Sequence, residues 1–255
     1  MTTNEKTNPN RIARIVGLLY VIPWVLSIAA FLLRQNIVVP GDAAATADNI
    51  MASESLFRLS IVGDLIVQVV FIILVLFLYR LLKPVNRNIA VLMVILFLVS
   101  VPIAMLNELN HAAALLLVSG ADYLTAFTAG QLQTLVPLFL DLHEIGIMIA
   151  YIFWGLWLFP LGYLVFQSEF LPRILGILLM ISCFGYLIDF FAFFLFPNAG
   201  VAINMYTGWA ELLLCLWLLI KGVDVEQWEK RAFESTINPL ANPGDVDRQI
   251  TVEAT

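Results

Sequence analysis

Charge is scarce in this chain. Charged residues make up 13% of its 255 residues, against roughly 25% in a soluble domain. Cysteine and histidine are scarcer still, at two each. Cys183 and Cys215 both fall inside apolar runs, which speaks against a disulfide framework or a cysteine-based zinc site. Gly-rich phosphate loops, Gly-x-Ser-x-Gly and His-Glu-x-x-His are absent, and no internal repeat of fixed period is visible. So little charge, beside an excess of apolar residues, excludes a nucleic-acid binder, a disordered chain and an ordinary cytosolic enzyme.

What fills the sequence is apolar: 61% hydrophobic residues and a mean hydropathy of +0.93. A transmembrane helix needs about 20 such residues in a row. Six segments qualify, near Ile12–Leu33, Leu59–Leu82, Ile89–Leu109 (with a helical pattern running on to Val118), Val136–Phe166, Arg173–Phe196 and Val201–Ile220. The runs are long and continuous, whereas barrel strands alternate over about 10 residues. The expected fold is therefore an all-α polytopic membrane bundle of six helices. The first run is too long for a signal-peptide core and reads as an uncleaved span. With both termini in the cytoplasm, eleven of the thirteen Lys/Arg residues lie inside and only Arg34 and Arg58 outside, as the positive-inside rule requires. The expected parts are a cytoplasmic segment 1–11, a transmembrane domain 12–221 and a largely disordered, acidic cytoplasmic tail 222–255. The expected location is the plasma membrane, as a multi-pass protein whose first partner is the lipid bilayer.

Local signals place the loops. Asp42 is expected to cap a helix over Ala43–Met51, and Ser53 to cap the second span. Glu54 and Arg58 have i,i+4 spacing. Asp122 is expected to cap a short helix ending near Gly130. Pro172 opens the fifth helix, and Pro23, Pro102, Pro137 and Pro160 are expected to kink theirs.

Ionisable groups at bilayer depth are costly and mark candidate sites. The second span carries Ser60, Asp64 and Gln68 on one face, with Arg58 just outside to neutralise Asp64 or hold an anionic headgroup. The third carries Asn107, Glu108 and His111, which converge. The fourth carries Asp141, His143 and Glu144, with His143 on the opposite side from Asp141. The fifth carries Ser182, Tyr186 and Asp189, and the sixth Asn204, Thr207 and Glu211. By helical rise these groups occupy one slab in the outer half, which suggests a polar cavity opening outward. The leading candidates for ligand binding or a proton relay are Asp64, His143, Asp189, Glu211, Arg58 and Tyr186. Glu108 and His111 also fit a wetted helix end.

Three functions suit such a cavity. It can bind or transport a small or lipidic ligand. It can hold a metal, zinc or iron, on His143, Asp189, Glu211, Glu108 and His111 and hydrolyse a lipid-like substrate. Or the polar groups can serve only to join helices or partners.

Several runs carry a resemblance. They include Asn10-Arg11-Ile12-Ala13, Val39-Pro40-Gly41-Asp42-Ala43, Ala52-Ser53-Glu54-Ser55-Leu56-Phe57-Arg58 and Tyr79-Arg80-Leu81-Leu82-Lys83-Pro84-Val85. Others are Ser119-Gly120-Ala121-Asp122-Tyr123-Leu124, Gly185-Tyr186-Leu187-Ile188-Asp189 and Leu216-Trp217-Leu218-Leu219-Ile220-Lys221-Gly222-Val223. Together, over about residues 10–223, the chain resembles the bacterial family catalogued as domain of unknown function 4386. The resemblance implies a bacterial integral membrane protein and adds no mechanism. A looser similarity is to alkaline-ceramidase-like hydrolases, which hold zinc in seven helices with three histidines, an aspartate and a serine. This chain has six expected helices and two histidines.

Overall fold

Apolar runs of this length have one way to satisfy their backbone in hydrocarbon, by bonding within a helix. The structure, a computed structural model, describes residues 8–237 and shows α-helices and one 3-10 turn, with no strand among the described residues. The helices are α1 (Pro9–Gln35), α2 (Ala43–Ala52), α3 (Glu54–Leu82), α4 (Arg87–Val118) and α5 (Ala129–Leu156). They continue as α6 (Leu158–Gln167), α7 (Arg173–Leu195), α8 (Asn204–Thr207), α9 (Trp209–Ile220) and α10 (Val225–Ile237). Five stretches are long and apolar enough to cross a membrane: α1, α3, α4, Ala129–Gln167 and α7. Asn204–Ile220 is a shorter apolar helix. The chain is thus an all-α polytopic membrane bundle.

The helix ends follow local chemistry. Asn8 Oδ1 accepts from the N–H groups of Asn10 and Arg11, and Pro9 takes the first helical position, where its missing N–H costs nothing. Asp42 caps α2 through a bond from the Ala45 N–H, as its spacing predicts. Ser53 closes α2 and gives its carbonyl to the Phe57 N–H at the start of α3. Pro172 opens α7 as expected.

One expectation needs correction. Asp122 does not cap a helix that ends near Gly130. Asp122–Leu124 is a single 3-10 turn, and Gly130 lies in the first turn of α5. The reason is a reciprocal capping box. Gln131 Oε1 accepts from the Thr128 N–H at 2.8 Å, and Thr128 Oγ1 accepts from the Gln131 N–H at 3.3 Å. The fourth span, Ala129–Gln167, is interrupted at Trp157, in line with the kink expected at Pro160. Pro160 supplies the cause. It has no N–H for the carbonyl of Leu156, four residues back, and its ring crowds that carbonyl. Pro23, Pro102 and Pro137 lie within helices that continue through them.

The described chain divides into two compact units. One comprises, among the described residues, 8–20, 74–97 and 154–237. Within it α6 packs on α7 through Gly162 and Gly176. A Cβ on Gly162 would lie 2.6 Å from the Gly176 carbonyl oxygen, and one on Gly176 would lie 2.5 Å from that of Gly162. Such small-residue contacts are how helices approach closely in lipid. In the same unit Trp228 of α10 donates its indole N–H to the Leu81 carbonyl at 2.9 Å, and Arg231 pairs with Glu169 at 3.1 Å. Residues 225–237 of the acidic tail are therefore helical; 238–255 lie outside the described residues, as do 1–7 of the N-terminal segment.

The other unit comprises residues 21–73 and 98–153. Its apolar core holds Ile37, Ala47, Ile50, Phe57, Ala114, Leu115 and Val136. Here α2, an amphipathic helix between two spans, buries Ala47 and Ile50 against that core.

The glycine contact is testable. Gly176→Ala should destabilise the protein by about 1–3 kcal/mol, the ordinary cost of overpacking, because the clashing atoms are backbone. Gly63, with nothing within 4 Å of its Cβ position, is the control. Gly63→Ala should be neutral or stabilising by up to about 1 kcal/mol through helix propensity. Thermal unfolding of the two variants in the same detergent reads the difference.

Candidate functional site

The unit of residues 21–73 and 98–153 brings both histidines of the chain to one carboxylate. Glu108 and His111 sit three residues apart on α4, so they share a face. His111 Nδ1 lies 2.9 Å from Glu108 Oε2. His143 of α5 places Nε2 3.0 Å from Glu108 Oε1. The two imidazoles stack, with centroids 3.7 Å apart and planes inclined by 30°. Phe57 of α3 meets the far side of His111 edge-on, its centroid 5.5 Å away. Glu108 and His111 are buried and His143 is half-buried.

The register of α4 against α5 is fixed beside this cluster. Asn107 Nδ2 donates to the His143 carbonyl at 2.8 Å, and Asn107 Oδ1 accepts from Asn110 at 2.9 Å. Gly146 makes room for it: a Cβ there would lie 1.9 Å from Asn107 Oδ1. Apolar side chains flank the cluster on the outer surface of α4. Leu106 and Leu109, the residues beside Asn107 and Glu108, are 65% and 64% exposed, and Leu116 farther along α4 is 53% exposed. An apolar outer surface therefore extends past Glu108 toward the end of α4.

Asp64 is the other acid of this unit. Its Oδ2 lies 2.6 Å from Arg34 Nη1, with both side chains about one-fifth exposed. The expected neutraliser, Arg58, pairs instead with Glu54 at 2.7 Å, both exposed at the start of α3. That pair is the simple i,i+4 contact of the spacing rule. Asp64 and Arg34 are electrostatic neighbours of His111, and Asp64 of Glu108 as well. Gln68, one turn beyond Asp64, is buried, and its Oε1 has no hydrogen-bond partner. Asp141 and Glu144 are exposed on α5 while His143 turns inward, as the helical angle between them requires.

Asp189, Tyr186 and Glu211 belong to the other unit. Asp189 accepts from the backbone N–H groups of Ile203 and Asn204, at 2.6 and 2.8 Å. Its carboxylate thus caps the start of the final apolar helix, where backbone donors are unsatisfied. Ser182 shares its hydroxyl between the carbonyls of Leu178 and Thr207. Tyr186 donates to Glu211 at 3.4 Å. Among the described residues, the one group of three or more metal-ligating side chains is Glu108, His111 and His143. Asp189 and Glu211, two of the expected metal ligands, are not part of it.

Sequence reasoning missed the Arg34–Asp64 pair, since the partners are 30 residues apart on different helices. It also weighted Asp189 above Glu108. The Glu-x-x-His spacing and the inward angle of His143 were the available signals for the cluster.

Apolar spans and buried polar clusters of this kind define a multi-pass membrane protein. The chain belongs to the family described as domain of unknown function (DUF4386), whose model matches residues 15–222. It is similar to an uncharacterized protein of Archaeoglobus fulgidus, 36% identical over 163 residues, which is 64% of this chain and 83% of the relative. No solved structure matches the chain.

The capping role of Asp189 predicts a stability effect. Asp189→Ala should cost about 1.5–3 kcal/mol, the usual worth of hydrogen bonds to a charged group. Asp189→Asn should recover part of it, because the amide oxygen still accepts one bond. Thermal unfolding of the purified variants measures both.

Proposed function

We propose that this protein is a six-crossing plasma-membrane protein that binds or transports a small ligand at the Glu108–His111–His143 cluster. The sixth crossing is Asn204–Ile220, whose 17 residues span about 26 Å, close to the hydrocarbon thickness. Both termini lie in the cytoplasm, where the basic residues gather. Residues 1–11 and 222–255 are then cytoplasmic, and the 119–128 connection between α4 and α5 is external. In that orientation the cluster lies in the outer half, about 15 Å along α4 from Val118.

One observation carries this reading. The chain's two histidines both meet a single buried carboxylate, beside residues whose apolar side chains face outward. Ionisable groups at such depth are expensive and functional by default. Joining helices does not require them, because Asn107 already bonds α4 to α5 one residue away. Arg34–Asp64 and the unpartnered Gln68 oxygen extend the polar character of the same unit.

Thermal unfolding of purified protein against amino acids, organic anions and short-chain phospholipids tests this. A ligand at a hundred times its Kd contributes about 2.7 kcal/mol, which raises the Tm of a chain this size by roughly 5–10 °C. Glu108→Gln keeps the side-chain shape and should abolish the rise. Asp141→Asn, on the exposed face, should leave it intact. A ligand response equal in wild type and Glu108→Gln would overturn the assignment.

A further inference from the structure

We propose that the ligand of this cluster is a divalent first-row transition-metal ion of the zinc class, held by Glu108, His111 and His143. The inference rests on the reading of the cluster as the binding centre and names what binds there. The three residues each offer a ligand atom, and these atoms all lie within 4.8 Å of one another. Donors around a four-coordinate zinc are about 3.3–3.5 Å apart, given metal–ligand bonds of about 2.0–2.2 Å. Small side-chain rotations therefore close the set. Two imidazoles and one carboxylate form the donor set of zinc sites that keep an open fourth position, and the mix suits borderline metals over magnesium or calcium, which prefer oxygen.

The proton balance is simple. In the hydrogen-bonded state His111 Nδ1 and His143 Nε2 each present an N–H to the Glu108 carboxylate. When the ion binds, those nitrogens become ligands and each ring carries its proton on the far nitrogen, His111 Nε2 and His143 Nδ1. Each imidazole stays neutral, and the ion takes the place of the two hydrogen bonds. The surroundings hold the ligands in place. Phe57 backs His111, and the Asn107–His143 carbonyl bond fixes the backbone that carries the third ligand. The carboxylate offsets one of the two positive charges. Asp64, an electrostatic neighbour of Glu108, is itself paired with Arg34 and stands outside the ligand set.

The test uses full-length protein purified through a tag without histidine, equilibrated with zinc chloride and washed free of excess. Elemental analysis should find about one zinc per chain. Replacing zinc by cobalt(II) should give the visible absorption of a low-coordinate nitrogen–oxygen site. Losing an outer-shell partner alone weakens metal affinity roughly 10–100-fold, so Glu108→Gln, His111→Ala and His143→Ala should each weaken it by at least about tenfold. Asp189→Asn and Glu211→Gln, outside the set, should retain the metal. Size-exclusion chromatography separates loss of metal from loss of fold, and Glu108→Gln keeps the shape of the carboxylate should the alanine variants unfold. Wild-type protein without stoichiometric zinc or a cobalt spectrum would overturn the metal assignment. If an organic ligand then still stabilised the protein in a Glu108-dependent way, the reading of the cluster as a binding centre would stand without it. If no ligand response depended on Glu108, both would fall. Zinc retained by Glu108→Gln and by both histidine variants would place the metal elsewhere and equally overturn the inference.

Discussion

A polar group inside hydrocarbon has no water to accept or donate its hydrogen bonds, and leaving it unpaired costs several kcal/mol. This constraint organises the interior of the protein. Arg34 reaches back from the end of α1 to Asp64. Ser182 turns its hydroxyl to backbone carbonyls, and Asp189 spends both oxygens on backbone N–H groups. Glu108 takes one histidine on each oxygen. Nearly every deep polar side chain can be explained by asking where its partner is. The apolar residues around them need no such account, since lipid solvates them as well as protein does.

The same constraint made most of the fold legible from the chain alone. A run of apolar residues must be a helix at bilayer depth, so element type followed from length and hydropathy. Ends followed where a side chain caps visibly, as at Asp42. They were missed where the signal was reciprocal. Thr128 and Gln131 form a capping box that sets the start of α5 at Ala129. Such a box does not change the hydropathy of its segment, so it does not show in a hydropathy reading.

The site was harder to read because partnership is a tertiary property. Spacing puts Glu108 and His111 on one face, and the helical angle turns His143 away from Asp141. Nothing along the chain says that these two faces meet. Their meeting depends on Gly146, whose missing side chain is what leaves space for Asn107 against α5. Asp189 illustrates the converse. Its depth and charge suggested chemistry, yet the start of a helix 14 residues later supplies two donors that consume it. Arg58 was the nearer cation to Asp64 in sequence, but a closer i,i+4 partner claimed it.

The deep polar groups of this protein differ in the kind of partner they have. Asp189 and Ser182 are bonded to backbone groups, which have one use and cannot change state. Asn107 likewise holds a carbonyl and so performs the joining of α4 to α5. Glu108, His111 and His143 are bonded to one another, and each imidazole keeps a second nitrogen beyond the one facing the carboxylate. Such a set can rearrange its protons among four ring nitrogens and two oxygens without breaking the helix contact that Asn107 maintains. A helix interface needs no such reserve. Its presence at a point where Asn107 already bonds α4 to α5 is the physical argument behind the proposal that these three residues bind a ligand.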